Sequence, residues 1–163
     1  MEWLKLLENG IWFGFAAIGF AILFNVPQRT IWIIWLLAAL GGLTRTYLLH
    51  LGIGVILPSF GGAALIGILS IPAAHNKHAP PLVFAIPAVI PMVPGVFAYK
   101  MILGLMKLAG DPTSVGYPQI LSETVNNGLK VLFILMSLAV GVAIPMLITR
   151  KNSVKELKIV KRK

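Results

Sequence analysis

The sharpest chemical feature of the sequence is the run Ala85-Ile-Pro-Ala-Val-Ile-Pro-Met-Val-Pro-Gly95, in which Pro87, Pro91 and Pro94 stand four and three residues apart. Proline has no amide proton, so in a regular helix these three would leave the carbonyls of Val83, Pro87 and Ile90 without donors. The run is wholly apolar, and an orphan carbonyl in hydrocarbon costs several kcal/mol. Irregular backbone at that depth is tolerated only against other protein or beside a water-filled cavity, and discontinuous helices of this kind build solute sites in secondary transporters. A kink that merely packs two helices is the alternative role. Two cations adjoin apolar runs instead of lying in long loops: Arg45 and Lys100. Both supply positive potential for a carboxylate, and the planar fork of Arg45 can grip one in two places. Snorkelling to the membrane interface is the competing role. Asn25, Tyr99, Asn126 and Asn127 add polar groups at the ends of apolar runs, where helix capping competes with ligand binding.

Other chemistries lack their residues. The chain has no cysteine, which removes disulfides, thiol catalysis and thiolate metal sites together. His75 and His78 have an i, i+3 spacing that two metal ligands could share, but they sit between alanines and prolines with no acidic partner, so neither metal nor cofactor is expected. The acidic residues are Glu2, Glu8, Asp111, Glu123 and Glu156, none of them in the middle of an apolar run. No nucleophile, oriented base and oxyanion group occur in one arrangement, and there is no phosphate loop, so an enzyme is not expected.

These residues are carried on elements that composition identifies. Of 163 residues, 58% are hydrophobic and 12% charged, with a mean hydropathy of +0.89, whereas a soluble domain needs roughly 25% charged residues to cover its surface. The expected fold is all-α: a polytopic membrane bundle of about five helices spanning 9–26, 30–49, 51–71, 81–108 and 128–148. The fourth should be broken by its prolines. Gly10, Gly14, Ala17 and Ala21 recur on one face of the first helix, a stripe that admits a neighbouring backbone. The net charge of +9 is not a nucleic-acid signal, because half of the 14 Lys and Arg residues lie in a tail at 150–163. Such a tail reports topology and an affinity for anionic lipid. With a cytoplasmic C-terminus, the inner side carries Arg29, Lys77 and that tail; the outer side carries Lys5, Arg45, Lys100, Lys107 and Lys130. The excess favours N-outside, C-inside.

Several of these residues together resemble the threonine/serine exporter (ThrE) family. The resemblance rests on Phe24-Asn-Val-Pro27 with Arg29, Arg45 after the pair Gly41-Gly42, the run Pro87 to Gly95 with Tyr99, and a last helix passing Gly141 and Pro145 into a basic tail. In length and order the chain is most similar to the short YjjB-type member, the counterpart of the C-terminal membrane half of full-length exporters. That resemblance implies a bacterial inner-membrane exporter component working with a larger YjjP-type subunit, and export of threonine and serine or of succinate. A homo-oligomer is the other way to complete a carrier, since no internal repeat is evident and carriers commonly need two repeats. The expected pathway residues are Asn25, Arg45, Pro87, Pro91, Pro94, Gly95, Tyr99 and Lys100. A non-transporting membrane scaffold, with the glycines and prolines serving packing alone, is the rival expectation.

Overall fold

A computed structural model describes residues 2–110 and 116–149. They form six α-helices: α1 (Glu2–Leu23), α2 (Ile31–His50), α3 (Ile56–Lys77), α4 (Pro81–Val89), α5 (Gly95–Leu108) and α6 (Tyr117–Thr149). No strand occurs among the described residues, so the all-α expectation holds. The basic tail at 150–163 lies outside them.

Small residues bring the helices together. Gly10, Gly14, Ala17 and Ala21 are all buried, with Gly10 facing Leu43 and Gly14 facing Trp35 across the α1–α2 contact. Trp3 stacks on Tyr47 at 6.4 Å, so these two helices are antiparallel. A Cβ on Gly62 would stand 2.7 Å from the carbonyl oxygen of Gly41, which places the α2 and α3 backbones almost in contact. At the far end of that pair the Lys77 ammonium lies 5.8 Å from the Trp32 ring, so α3 is antiparallel to α2. Gly141 of α6 meets Phe60 and Ala63, while Gly67 meets Val142 and Pro145. The residue numbers rise together, so α3 and α6 are parallel. Helices α1, α3 and α6 therefore share one direction, and α4 with α5 must carry the chain back to the start of α6.

The helix boundaries depart from the sequence reading in α1, which already begins at Glu2, and in α3 and α6. α1 stops at Leu23 because Asn25 takes the left-handed conformation, at φ 53°, while Asn25 N–H donates to Ile22 and Val26 N–H to Ala21. That is a Schellman motif with asparagine in the usual glycine position. α3 starts only at Ile56, after Gly52 turns the chain with φ 78°, and it runs through Pro72 to Lys77. His78, at φ 51°, ends it in the same manner as Asn25. α6 begins at Tyr117, well before the expected 128, with α5 packed along its first half where Gly104 meets Thr124 and Met101 meets Gly128. Its 33 residues extend about 50 Å, longer than a bilayer core of about 30 Å.

The expected break in the fourth run is present. α4 and a 3-10 turn (Ile90–Met92) are separated from α5 by Val93 and Pro94, and the two halves bend by 54°. They also part company in their packing. α4 buries Phe84, Ala85, Pro87 and Ala88 at the centre of the bundle beside Ile34, Ile66 and Ile134. α5 buries Gly104 alone and has α6 as its principal neighbour. The outer faces carry large apolar side chains such as Trp3, Trp12, Phe15, Leu57 and Leu147, a surface suited to lipid rather than water. α1, α2, α3 and α6 are long and apolar enough to cross a membrane, and the α4–α5 pair qualifies together as a fifth crossing. This is a multi-pass membrane protein.

Candidate functional site

The break in the fourth run is built from three local events. Pro91 occupies the 3-10 turn, which Val93 N–H closes by donating to Ile90 at 2.9 Å. Val93 is extended, and Pro94 at φ −80°, ψ 61° forms an inverse γ-turn with Gly95 N–H donating to Val93 at 2.9 Å. α5 then starts, with Ala98 N–H on the carbonyl of Pro94. In an unbroken helix the Met92 carbonyl would accept from Val96; here it has lost that donor.

Arg45 replaces it. Its Nη1 donates to Met92 O at 2.7 Å from α2, 47 residues away in sequence. Met92 is fully buried, and its thioether enters the notch that Gly41 and Gly62 leave between α2 and α3. The break is thus held twice, by its side chain in a glycine notch and by its carbonyl on a guanidinium. The neighbouring hydroxyls are spent locally, Thr44 on Leu40 and Thr46 on Gly42 of their own helix. Arg45 Nε is buried with no hydrogen-bond partner, and no acidic side chain pairs with Arg45 among the described residues. The guanidinium is half-buried and its hydrogen-bond partner is a neutral carbonyl, so its charge is not compensated by an acid among the described residues.

Arg45 joins the segment carrying Pro91, Pro94 and Gly95 through its bond to Met92, and Pro87 is buried one turn earlier in α4. Tyr99 and Lys100 lie on α5 beyond the break, both exposed. Asn25 is elsewhere: it caps α1 beside the start of α2, about 20 Å along that helix from Arg45. Two features escaped sequence reasoning. One is the Met92 carbonyl as the partner of Arg45, whose faint signal is Gly41 standing four residues before Arg45 on the same helix face. The other is the Lys130 ammonium, 5.3 Å from the Phe97 ring just past the break. His75 Nδ1 is bonded to Ile71 O at 2.9 Å, and no three metal-ligating side chains gather among the described residues.

A large hollow lies away from this chemistry. It occupies about 960 Å³ between α1 and α2, walled by Phe15, Ile22, Trp32, Trp35 and Leu36 with Asn25 and Gln28 at one end. Its walls are mostly apolar, and size alone does not outweigh the half-buried cation at the break.

A family model described as threonine/serine exporter, ThrE, matches residues 9–148 of this chain. An uncharacterized protein of Haemophilus influenzae is 36% identical over 143 residues, covering 87% of this chain and 47% of the relative. The chain thus spans about half the length of that curated relative. No solved structure matches. With the family match covering nearly all of its helices, the chain belongs to the threonine/serine exporter (ThrE) family, whose members are transporters of the exporter type.

Proposed function

We propose that this chain is one half of a bacterial inner-membrane exporter of small carboxylate-bearing solutes, working with a larger YjjP-type subunit. The observation that carries the reading is Arg45 donating to Met92 O at the proline break, with Nε buried and unused. A carboxylate can take two guanidinium donors at once, a stronger partner than a single neutral carbonyl. A solute arriving at Arg45 thereby competes with Met92 for it, which couples binding to the proline-broken segment. Threonine and serine are the first candidates, from the family description; a dicarboxylate such as succinate presents the same group.

The partner rests on length and architecture. The curated relative is about twice as long as this chain, and carriers commonly combine two repeats around the site. A second copy of this chain is the alternative partner. For orientation, the C-terminal end of α6 lies on the side of Arg29 and Lys77, and Lys5, Lys100 and Lys107 lie on the other. With the basic tail added, the positive side is the C-terminal one, which supports a cytoplasmic C-terminus.

The test is efflux of preloaded threonine, serine and succinate from cells lacking native exporters, with this chain, the larger subunit, or both. Efflux requiring both chains, and lost in Arg45→Gln while the complex persists, is the expected result. Unchanged efflux in Arg45→Gln would favour the scaffold role.

A further inference from the structure

Beyond the break, α5 and the first half of α6 enclose a groove of about 270 Å³ whose walls carry charge, in contrast to the apolar α1–α2 hollow. Its floor is a close approach of the two helices at Gly104 and Thr124. A Cβ at Gly104 would collide with the Thr124 hydroxyl, so glycine there lets the α6 backbone sit low. Thr124 itself is buried and donates to Ile120 O at 2.6 Å, within its own helix. The walls follow from helical spacing. Lys100, Gly104 and Lys107 share one face of α5, while Glu123, Thr124 and Asn127 share the facing stripe of α6. Met101 touches Gly128 and Gly104 touches Thr124, so the helices are antiparallel and Glu123 stands at the level between the two lysines. The lysines are two turns apart, about 10 Å along α5.

None of these three charges is paired with another within salt-bridge distance among the described residues. The groove therefore holds two cationic positions flanking one anionic position, all open to a ligand. We propose that it is an exit-side binding site for a free α-amino acid, with the solute carboxylate on Lys100 or Lys107 and its ammonium on Glu123. A zwitterion satisfies both signs at once. A dicarboxylate of similar size would bring its second negative charge beside Glu123, which makes Glu123 the residue that selects the amino acid. Lys100 comes five residues after Gly95, so a solute leaving the break reaches it first and Lys107 two turns later. The role as an exit site rests on the export reading above, whereas the binding chemistry does not.

The test is binding of radiolabelled L-serine, L-threonine and succinate to the full chain in lipid nanodiscs, by scintillation proximity, alongside efflux in cells. Glu123→Gln is expected to weaken serine and threonine binding at least tenfold and to leave succinate binding unchanged or stronger. Lys100→Gln/Lys107→Gln should weaken amino-acid binding at least tenfold, and Lys100→Arg/Lys107→Arg should restore it, which separates lost charge from lost fold. The proposal is overturned if the wild-type chain binds none of the three, if Glu123→Gln leaves serine binding intact, or if succinate binds in preference to the amino acids. Loss of serine binding in Arg45→Gln alone would also overturn it, placing the solute at the break with the export reading unharmed. Groove-dependent binding without efflux in any subunit combination would sink the export reading and leave the groove standing.

Discussion

Arg45 is where a single side chain does two jobs, and each has its own consequence. Its hydrogen bond satisfies a carbonyl that the proline break orphans, so removal should destabilise the fold by about 1–3 kcal/mol, the usual cost of an unmet buried acceptor. Arg45→Gln is therefore expected to lower the unfolding midpoint in detergent and to cut efflux about tenfold or more. Arg45→Lys keeps the charge without the fork, so it should retain more efflux than Gln and less than Arg. Equal efflux from Lys and Gln would show that charge is not the relevant property. Asn25 makes the opposite case. Its polar side chain invites a functional reading, yet its backbone sits at φ 53° as a helix terminator. Asn25→Gly should preserve both stability and transport, and Asn25→Val should destabilise by about 1–2 kcal/mol through left-handed strain. Loss of efflux in a fully stable Asn25→Gly would return Asn25 to the pathway.

The broken fourth run decides how the helices divide their labour. Proline chemistry forbids a regular helix through Pro91 and Pro94, and the two halves then find different partners, α4 in the bundle core and α5 on α6. Replacing Pro94 and Gly95 with alanine restores a donor and a helix-forming backbone. That double variant should reduce the 54° bend and weaken export at least tenfold. Spin labels at the exposed positions Ile86 and Ile102 would read the change as a longer distance across the break. A straightened pair with normal export would reduce the prolines to a packing device. The α2–α3 contact offers a second element-scale check. Gly62→Val would drive a side chain into the Gly41 carbonyl and the Met92 notch, overpacking a contact with no room to yield. A fall in stability of about 1–3 kcal/mol is expected, together with displacement of Met92 from its notch.

At the scale of the molecule, the parallel direction of α3 and α6 makes the path from α3 to α6 a full return journey across the bundle. α4 alone is too short for it, since nine residues rise about 14 Å, so α4 and α5 are needed in series. With the α4–α5 pair counted as one crossing, the two ends of the described chain lie on opposite sides. The absence of native cysteine makes this directly measurable. Lys5→Cys should react with an impermeant maleimide in intact cells, and Lys77→Cys only after lysis. Labelling of both from the same side would overturn the five-crossing topology.

Much of this was legible in the sequence because it depends on local covalent facts. An apolar chain with 12% charged residues cannot be covered by water, and a residue without an amide proton cannot donate. Hence the membrane bundle, the break between Pro87 and Gly95 and the glycine-alanine face of α1 could all be read from residue types and spacing. The early start of α6 could not, because polar residues such as Glu123 and Asn127 lie in that first half, packed along α5. Nor could the left-handed caps at Asn25 and His78, where glycine would have been the recognisable signal. Above all, the sequence by itself determined that the prolines would withhold donors from Val83, Pro87 and Ile90, but only the tertiary structure decided that Ile90 accepts from Val93 instead and that the carbonyl left over is that of Met92, which Arg45 meets. The two residues are 47 positions apart, and their meeting depends on Gly41 and Gly62 letting α2 and α3 approach closely around Met92.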